Sequence, residues 1–544
     1  MKILTAADMS RADRATAERF STPLADLMEH AGEAVSRFVL AQYPRAKRIV
    51  ALCGTGNNGG DGFVAAHYLQ AAGCDVSVLM TGEAAKLQGE AAEAYRQLDQ
   101  ALVPVGNLPE GASVGGVAQL FAQADVVLDA VVGTGFKPPL RGVAAVLQRA
   151  LQGTTVPVVS VDLPSGWDAD SQQQTAEGAF RSDAVVTFTA PKLAHVFGHL
   201  TAPEVFGPVV VAPIGSPDSA VESSTGLTWT GAAKRLFQPT RPIDSNKGMY
   251  GHVLLIGGAF GKAGAPAMSS LAALRTGTGL VTAAVPKSIL NNVAAITPEL
   301  MTAPLEEDAH GSVALANLDP AKLEKLLQKI SVLAVGPGLG TEGEAPEFVQ
   351  RLVASTDIPL VLDADALNAF KGKAERIKQA AQGGRRTIVL TPHPGEMGTL
   401  LGTSTKAVQA DRLNLARRFA TEHGVTLVLK GWRTLVAHPD GEVSVNTTGN
   451  PAMAKGGSGD ILTGIVAACV AQYPDNVRDA INAAVYLHGL AADFAAHRMD
   501  QHTVLATDTV AHLSEAFHYR TADADGVEWI CGLRVGYAAK LKTS

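Results

Sequence analysis

Four small residues, Gly456-Gly-Ser-Gly459, run directly into Asp460 and then into the apolar stretch Ile461 to Val470. That stretch reads as a helix beginning near Asp460, so its start presents unpaired backbone N–H groups and the positive end of a macrodipole. Such a start suits a phosphate or a developing anion, and glycines let backbone approach it with no Cβ in the way. A carboxylate in the same place opposes phosphate binding, unless its task is to take a proton from the group being phosphorylated. The plainer alternative is an ordinary loop with an Asp cap on a buried helix.

Comparable clusters recur elsewhere, each just after a strand-like run. In the first half, Arg48 to Cys53 leads into Gly54-Thr-Gly-Asn-Asn-Gly-Gly-Asp-Gly62, Val126 to Val132 overlaps Asp129-Ala-Val-Val-Gly-Thr-Gly135, and Val156 to Leu163 runs into Asp162-Leu-Pro-Ser-Gly166. Helical patterns separate the strands: 5–40 broken at Ser21-Thr-Pro23, then 63–72, 84–98 and 143–151. Alternation of this kind predicts a doubly wound, mostly parallel sheet, with ligands outside the carboxyl ends of its strands. Three clusters on one rim are better explained as one site than as three turns. Gly54-x-Gly56-x-x-Gly59 also satisfies the dinucleotide fingerprint of dehydrogenases. However, Asp75 opens the next strand instead of closing it, and Asp61 puts a negative charge where a pyrophosphate would sit.

The second half repeats the plan with different residues. Strand-like runs end in Gly257-Gly-Ala, Gly336-Pro-Gly338, Asp363-Ala-Asp365-Ala-Leu-Asn368, Thr391-Pro-His-Pro-Gly-Glu-Met397 and Lys430-Gly-Trp-Arg-Thr434. His393, Glu396, Asp365 and Asp460 at successive strand ends point to substrate contact.

Composition narrows the class. A chain of 544 residues is too long for one typical core, and 47% hydrophobic with 18% charged residues is globular, without a bias to disorder. A net charge of −7 and no Arg/Lys stripe with interleaved aromatics exclude a nucleic-acid footprint. Cys53, Cys74, Cys469 and Cys531 have neither metal-ligand nor disulfide spacing, as expected of thiols in a reducing cytosol. Met1 to Arg14 lacks the apolar core of a signal peptide, and no apolar run is long enough for a bilayer, so a cytoplasmic protein with no membrane partner is expected. No repeat of 20–50 residues is visible. The aperiodic, Pro/Gly/Ser-rich Pro213 to Thr225 reads as a linker, which predicts domains at 1–215 and 229–544 joined by 216–228. The tail beyond Leu513, with Trp529 and Cys531, carries no motif.

Asn57-Asn-Gly-Gly-Asp-Gly62, Gly133-Thr-Gly-Phe-Lys137 and Val161-Asp-Leu-Pro-Ser-Gly166 together resemble the NAD(P)H-hydrate epimerases over roughly 1–215. The resemblance implies a Rossmann-like domain and a potassium ion held by Asn58, Asp129 and Ser165, hard oxygen donors suited to such a cation. It implies substrate contacts from Asn57, Asn58, Gly59, Gly60 and Asp61, from Gly133, Thr134, Gly135, Phe136, Lys137, Pro138 and Pro139, and from Asp162. Asp162 is the candidate acid/base for moving a proton at C6 of the damaged nicotinamide ring. Lys192 is a second candidate for the pocket, equally readable as a solvated lysine.

Gly336-Pro-Gly338, Asp363 to Asn368, Thr391 to Met397, Lys430-Gly431 and Asn450 to Asp460 resemble the ADP-dependent NAD(P)H-hydrate dehydratases, a ribokinase-like branch, over roughly 229–513. That resemblance implies Ala265, Gly338, His393 and Asp460 on the hydrate. It implies Lys430, Gly431, Trp432, Arg433, Thr434, Asn450, Lys455, Gly456, Gly457, Ser458 and Gly459 on ADP, with Mg²⁺ offsetting phosphate charge. Lys262 stands where an aromatic is often found, and Ala452 replaces a common glycine. The expected fold class is α/β, a Rossmann-like doubly wound domain followed by a ribokinase-like α/β domain. The expected partners are small molecules, and the expected assembly is a homo-oligomer. Three rivals are an ATP-dependent small-molecule kinase, a dehydrogenase and a non-enzymatic nucleotide-sensing module.

Overall fold

The computed structural model describes residues 1–108, 111, 113–201, 207–382 and 386–534. They form two compact units, Met1–Leu227 with the chain from Arg520 onward, and Thr228–Tyr519.

In the first unit an eight-stranded sheet runs, in spatial order, Val105–Asn107, Asp75–Met80, Arg48–Cys53, Val126–Ala130, Val158–Val161, Ala184–Phe188, Val209–Ala212 and Glu528–Cys531. All neighbours are parallel except the last pair. The central strands are buried along their length, which is why they read as continuous apolar runs instead of alternating ones. Strand order reverses between Arg48–Cys53 and Val126–Ala130, and a crevice opens at such a switch point. The Gly54 amide donates to the Ala130 carbonyl at 3.0 Å. A Cβ on Gly54 would lie 2.0 Å from the Val131 carbonyl oxygen, so only glycine lets the two loops meet.

Three readings change here. The helix expected over 63–72 begins at Asn57, so the Asn-Asn-Gly-Gly-Asp run is its first turn and not a loop. Residues 216–227 of the expected linker belong to the first unit's fabric. Ser223 and Thr225 hydroxyls donate to the Ile3 carbonyl at 2.7 and 2.9 Å, and Val221 packs with Leu4, Met9, Ala12 and Ala190. The tail placed in the second domain instead returns to the first sheet. Glu528–Cys531 pairs antiparallel with Val209–Ala212, and Trp529 buries its ring against Phe38, centroids 6.1 Å apart. Its aromatic and β-branched residues satisfy an edge that would otherwise expose unpaired backbone. Trp529→Ala is therefore expected to cost about 3–5 kcal/mol of stability, read as a lower melting temperature in calorimetry.

The second unit holds a ten-stranded sheet in the order Met301–Leu305, Leu280–Pro286, His252–Ile256, Val332–Val335, Leu360–Leu362, Ile388–Leu390, Thr426–Leu429, Leu435–Ala437, Val443–Val445 and Leu227–Trp229. The first seven are parallel, and Leu435–Ala437 and Val443–Val445 then turn antiparallel. Its switch point lies beside His252–Ile256. Helix Ser458–Gln472 is buried from Ile461 to Ala471 and packs on helix Gly264–Thr276 through Gly464, whose Cβ would sit 2.0 Å from the Ser269 carbonyl. That close packing fixes where the Gly-rich start of the helix points.

Candidate active sites

In the first unit the three sequence clusters meet around a cavity of about 730 Å³. Asn57, Asn58, Asp61, Gly133, Thr134, Gly135, Phe136 and Asp162 line it, as does Lys192. Gly59, Gly60, Lys137, Pro138 and Pro139 do not. Gly59 and Gly60 are buried in helix packing, where a Cβ would strike the Gly54 carbonyl or the Met28 side chain. Lys137 pairs instead with Asp168 and Asp170 at 2.6 and 3.1 Å.

Asp162 sits just beyond its strand with φ +64°, a backbone conformation rarely adopted by a non-glycine residue and one that concentrates at functional sites. Its Oδ1 accepts from Lys192 Nζ at 2.9 Å and from the Thr187 hydroxyl at 2.8 Å, and its Oδ2 accepts from the Thr134 amide at 3.2 Å. Burial opposes its charge, but the Lys192 ammonium and these hydrogen bonds hold the carboxyl below its ordinary range. Lys192 is 1% exposed, which replaces the solvated alternative with a buried ion pair. Gly133 faces the pair closely: a Cβ there would lie 3.0 Å from Asn58 Oδ1 and 3.1 Å from Asp162 Oδ2. Gly133→Ala is expected to narrow the cavity, seen as a raised KM for the molecule that occupies it.

Asp129 is fully buried and bound to Ser165, whose hydroxyl and amide donate to it at 2.5 and 2.7 Å. Burial pushes Asp129 up to about 6 in spite of these bonds. Both side-chain amide atoms of Asn58 are buried without a hydrogen-bond partner, and its Oδ1 lies against Gly133, the residue after the Val132 whose amide and carbonyl bond the Ser165 hydroxyl. The orphaned Asn58 Oδ1 is a buried acceptor that a cation would satisfy.

In the second unit the strand-end residues converge on Lys430. Its ammonium donates to Asp363 Oδ1 at 3.0 Å and lies 3.6 Å from Glu396 Oε2. Asp363, 1% exposed, also accepts from the Thr463 hydroxyl at 2.7 Å. Gly459 sits over this group, since a Cβ on it would lie 3.2 Å from Lys430 Nζ. One residue on, Asp460 is half-buried, and its carboxyl is pushed up to about 6 by burial and then by Asp363, Asp365 and Glu396, against the pull of Lys430. Its backbone carbonyl is held by the Ser269 hydroxyl at 2.7 Å. Among the described residues, the amides of Gly456, Gly457, Gly459 and Asp460 make no hydrogen bond, and Gly457 is left-handed at φ +93°. Asp460 thus stands beside a free anion cradle.

Other residues of the expected set have structural partners. His393 caps helix Pro394–Leu401, its Nδ1 accepting from the Gly395 and Glu396 amides at 3.0 and 3.3 Å, and its Nε2 lies 3.4 Å from Glu396 Oε1. Lys455 donates to the His502 and Val504 carbonyls, both at 2.6 Å. Asn450 binds Asp493 at 2.9 Å, and Asp493, pushed up to about 7 by burial, also accepts from the Gly449 amide. Gly338 and Ala265 adjoin, a Gly338 Cβ lying 3.1 Å from that of Ala265. Trp432 is partly exposed with the Arg433 guanidinium 4.5 Å above its ring. Arg412 and Asp493 escaped the sequence reading. Arg412 donates to the carbonyls of Leu429 and Arg433 and so shapes the loop after Lys430, yet no motif marks it. A second cavity, about 980 Å³, opens near Ser331, Pro359 and Thr387, before the strands start and away from this chemistry.

Removing Lys430 would take the ammonium from beside Asp363 and Glu396 and raise Asp460 further. Lys430→Met is expected to move the acidic limb of kcat/KM to higher pH, measured as a pH–rate profile.

The family described as NAD(P)H-hydrate dehydratase matches residues 253–515, and that described as YjeF-related protein N-terminus matches residues 24–194. The bifunctional NAD(P)H-hydrate repair enzyme Nnr of Moorella thermoacetica is 38% identical over 525 residues, covering 94% of this chain and 96% of its own. Its counterpart in Escherichia coli is 33% identical over 521 residues, 95% of this chain and 94% of its own. A solved ADP/ATP-dependent NAD(P)H-hydrate dehydratase from Bacillus subtilis, co-crystallized with ATP/Mg²⁺, is 28% identical and covers 54% of this chain and 99% of its own, with a TM-score of 0.46. Full-length likeness to these two-part relatives, on a chain whose two α/β rims carry the strand-end motifs, has one conclusion: the chain belongs to the family of bifunctional NAD(P)H-hydrate repair enzymes.

Proposed function

We propose that the two units divide the repair of hydrated NADH and NADPH, the first interconverting the R and S hydrates at C6 and the second dehydrating the S hydrate at the expense of ADP. The observation that carries the second assignment is Asp460 beside the unbonded amides of Gly456, Gly457 and Gly459. Hydroxide is a poor leaving group. Asp460 takes the proton of the C6 hydroxyl, and that oxygen attacks the β-phosphate of ADP, releasing AMP. The free amides and the helix start stabilise the charge that develops on the phosphoryl group. Phosphate then leaves with the C6–O electron pair, pushed by the ring nitrogen, and loss of a proton from C5 to solvent restores reduced nicotinamide. Trp432, Arg433 and Asn450 border the nucleotide, while Ala265, Gly338 and His393 border the hydrate. Mg²⁺, when bound, would offset the charge of the phosphates.

In the first unit the ionised Asp162 is the proton acceptor, with Lys192 and Thr187 fixing its carboxylate. Asn58, Asp129 and Ser165 would hold a potassium ion through their oxygens, and the ion would supply positive charge to the site. Exchanging potassium for lithium is expected to slow epimerisation and lower the melting temperature of the first unit.

The protein acts in the cytoplasm, a placement supported by four cysteines that are all free and buried. No described helix is long and apolar enough to cross a membrane. The homo-oligomer is tested by light scattering. The reading as a whole is tested by incubating each hydrate epimer with ADP or ATP and following absorbance in the reduced-nicotinamide band. Recovery with ADP supports it, and a stable phosphorylated product made from ATP sinks it.

A further inference from the structure

The helix Ala6–Phe20 brings Met9, Ser10, Asp13 and Arg14 to the wall of the first unit's cavity. None of the four falls within the residues 24–194 that match the N-terminal family, and none belongs to the three strand-end clusters. The orientation of this helix is well fixed. Thr5 and Asp8 form a reciprocal capping box, and Asp8 also accepts from the Ser224 amide and hydroxyl at 3.2 and 2.9 Å. Met9 and Ala12 are buried against Leu4, Ala190 and Val221, which leaves the next residue, Asp13, turned to the cavity.

Asp13 Oδ1 is buried and has no hydrogen-bond partner, so the side chain is held in place by its helix and not by an ion pair. The ionisable groups that share the cavity wall with it are Arg14, Asp61, Glu90, Asp162 and Lys192. Lys192 is committed to Asp162, to the Thr187 hydroxyl at 2.8 Å and to the Phe188 carbonyl. Burial pushes Asp13 up to about 6; Asp162 adds to that and Lys192 opposes it. Burial and the neighbouring carboxylates Asp162 and Asp13 push Asp61 up as well, while Asp162 is held down. One cavity thus offers a carboxyl that can carry a proton near neutrality and a carboxylate that stays ionised, the separation expected of an acid and a base.

We propose that Asp13 is a second catalytic residue of the epimerisation, the acid that protonates the departing C6 hydroxyl. This rests on the epimerase reading of the first unit. The Asp13 proton passes to the hydroxyl oxygen, the C6–O bond breaks with its electron pair leaving on water, and the lone pair of the ring nitrogen forms a C=N bond to C6. That carbon is now planar. Water adds to its other face, its proton going to the Asp162 carboxylate while the π pair returns to nitrogen. Asp13 is left ionised and Asp162 protonated. Proton exchange with solvent resets the pair, and the reverse conversion uses the same two groups with their roles exchanged.

The test starts from purified R hydrate and follows its conversion to S by chromatography, for wild type, Asp13→Asn, Asp13→Glu and Asp61→Asn. The wild-type rate is expected to fall as pH rises through about 6, because the acid must be protonated. Asp13→Asn should lower kcat by about 10²–10⁴ with little change in KM, abolish that limb, and leave dehydration of S hydrate intact. Asp13→Glu should restore part of the rate with a displaced limb, and this variant serves if the asparagine protein fails to fold. An Asp13→Asn kcat near wild type, a loss confined to KM, an undisplaced limb in Asp13→Glu, or loss of the limb in Asp61→Asn alone overturns the assignment. A wild-type protein that leaves R hydrate unchanged overturns the epimerase reading together with it.

Discussion

Asp460→Asn is expected to slow ADP-driven dehydration by about 10²–10⁴ while ADP still binds. The amide has the carboxylate's shape and cannot accept the hydroxyl proton, whereas the cradle is made of main-chain N–H groups that the substitution leaves alone. Removing a charge that opposes phosphate should, if anything, tighten the nucleotide. The wild-type limb of kcat/KM should rise with pH through about 6, since Asp460 works as a base only when ionised, and the limb should vanish in the variant. Equilibrium titration with ADP alongside turnover separates the two effects. A variant with wild-type turnover removes Asp460 from the chemistry.

Asp162→Asn is expected to abolish epimerisation to a similar degree, about 10²–10⁴, and also to destabilise the first unit. Lys192 is 1% exposed and, among the described residues, forms its ion pair with Asp162, so the neutral amide strands a buried ammonium, a change costing about 3–5 kcal/mol. Stability and activity can be told apart. Asp162→Asn combined with Lys192→Met removes both charges and should recover much of the melting temperature without recovering R-to-S conversion. Dehydration of S hydrate by the same protein should continue, because its residues lie in the other unit.

The strand-end clusters were legible because the physics that builds them leaves a mark in the chain. Gly54 must be glycine to let the Val131 carbonyl approach, and Gly457 must be glycine to turn left-handed before the helix, so both stand out against apolar strands. Carboxylates at strand ends are equally conspicuous, since little else would place Asp162 or Asp363 after a buried run. What stayed hidden acts through tertiary packing. Asp13 looks like any charged residue on an amphipathic helix until Met9 and Ala12 are seen to turn it inward. Asp493 lies in the long helix Val477–Arg498, and only the fold brings it to Gly449 and Asn450. Trp529 and its strand were unreadable because their partner strand lies more than three hundred residues earlier in the chain. His393 shows the opposite case, a histidine conspicuous between two prolines whose first duty is to cap a helix.

Phosphorylation of the C6 oxygen is tested most directly with S hydrate carrying ¹⁸O in that hydroxyl, converted with ADP by the wild-type protein. One AMP should form per reduced nicotinamide restored, and the label should appear in the inorganic phosphate. Label recovered in water, with the phosphate unlabelled, would mean that the hydroxyl departs without meeting ADP, and the role of Asp460 and its amide cradle in phosphoryl transfer would be contradicted.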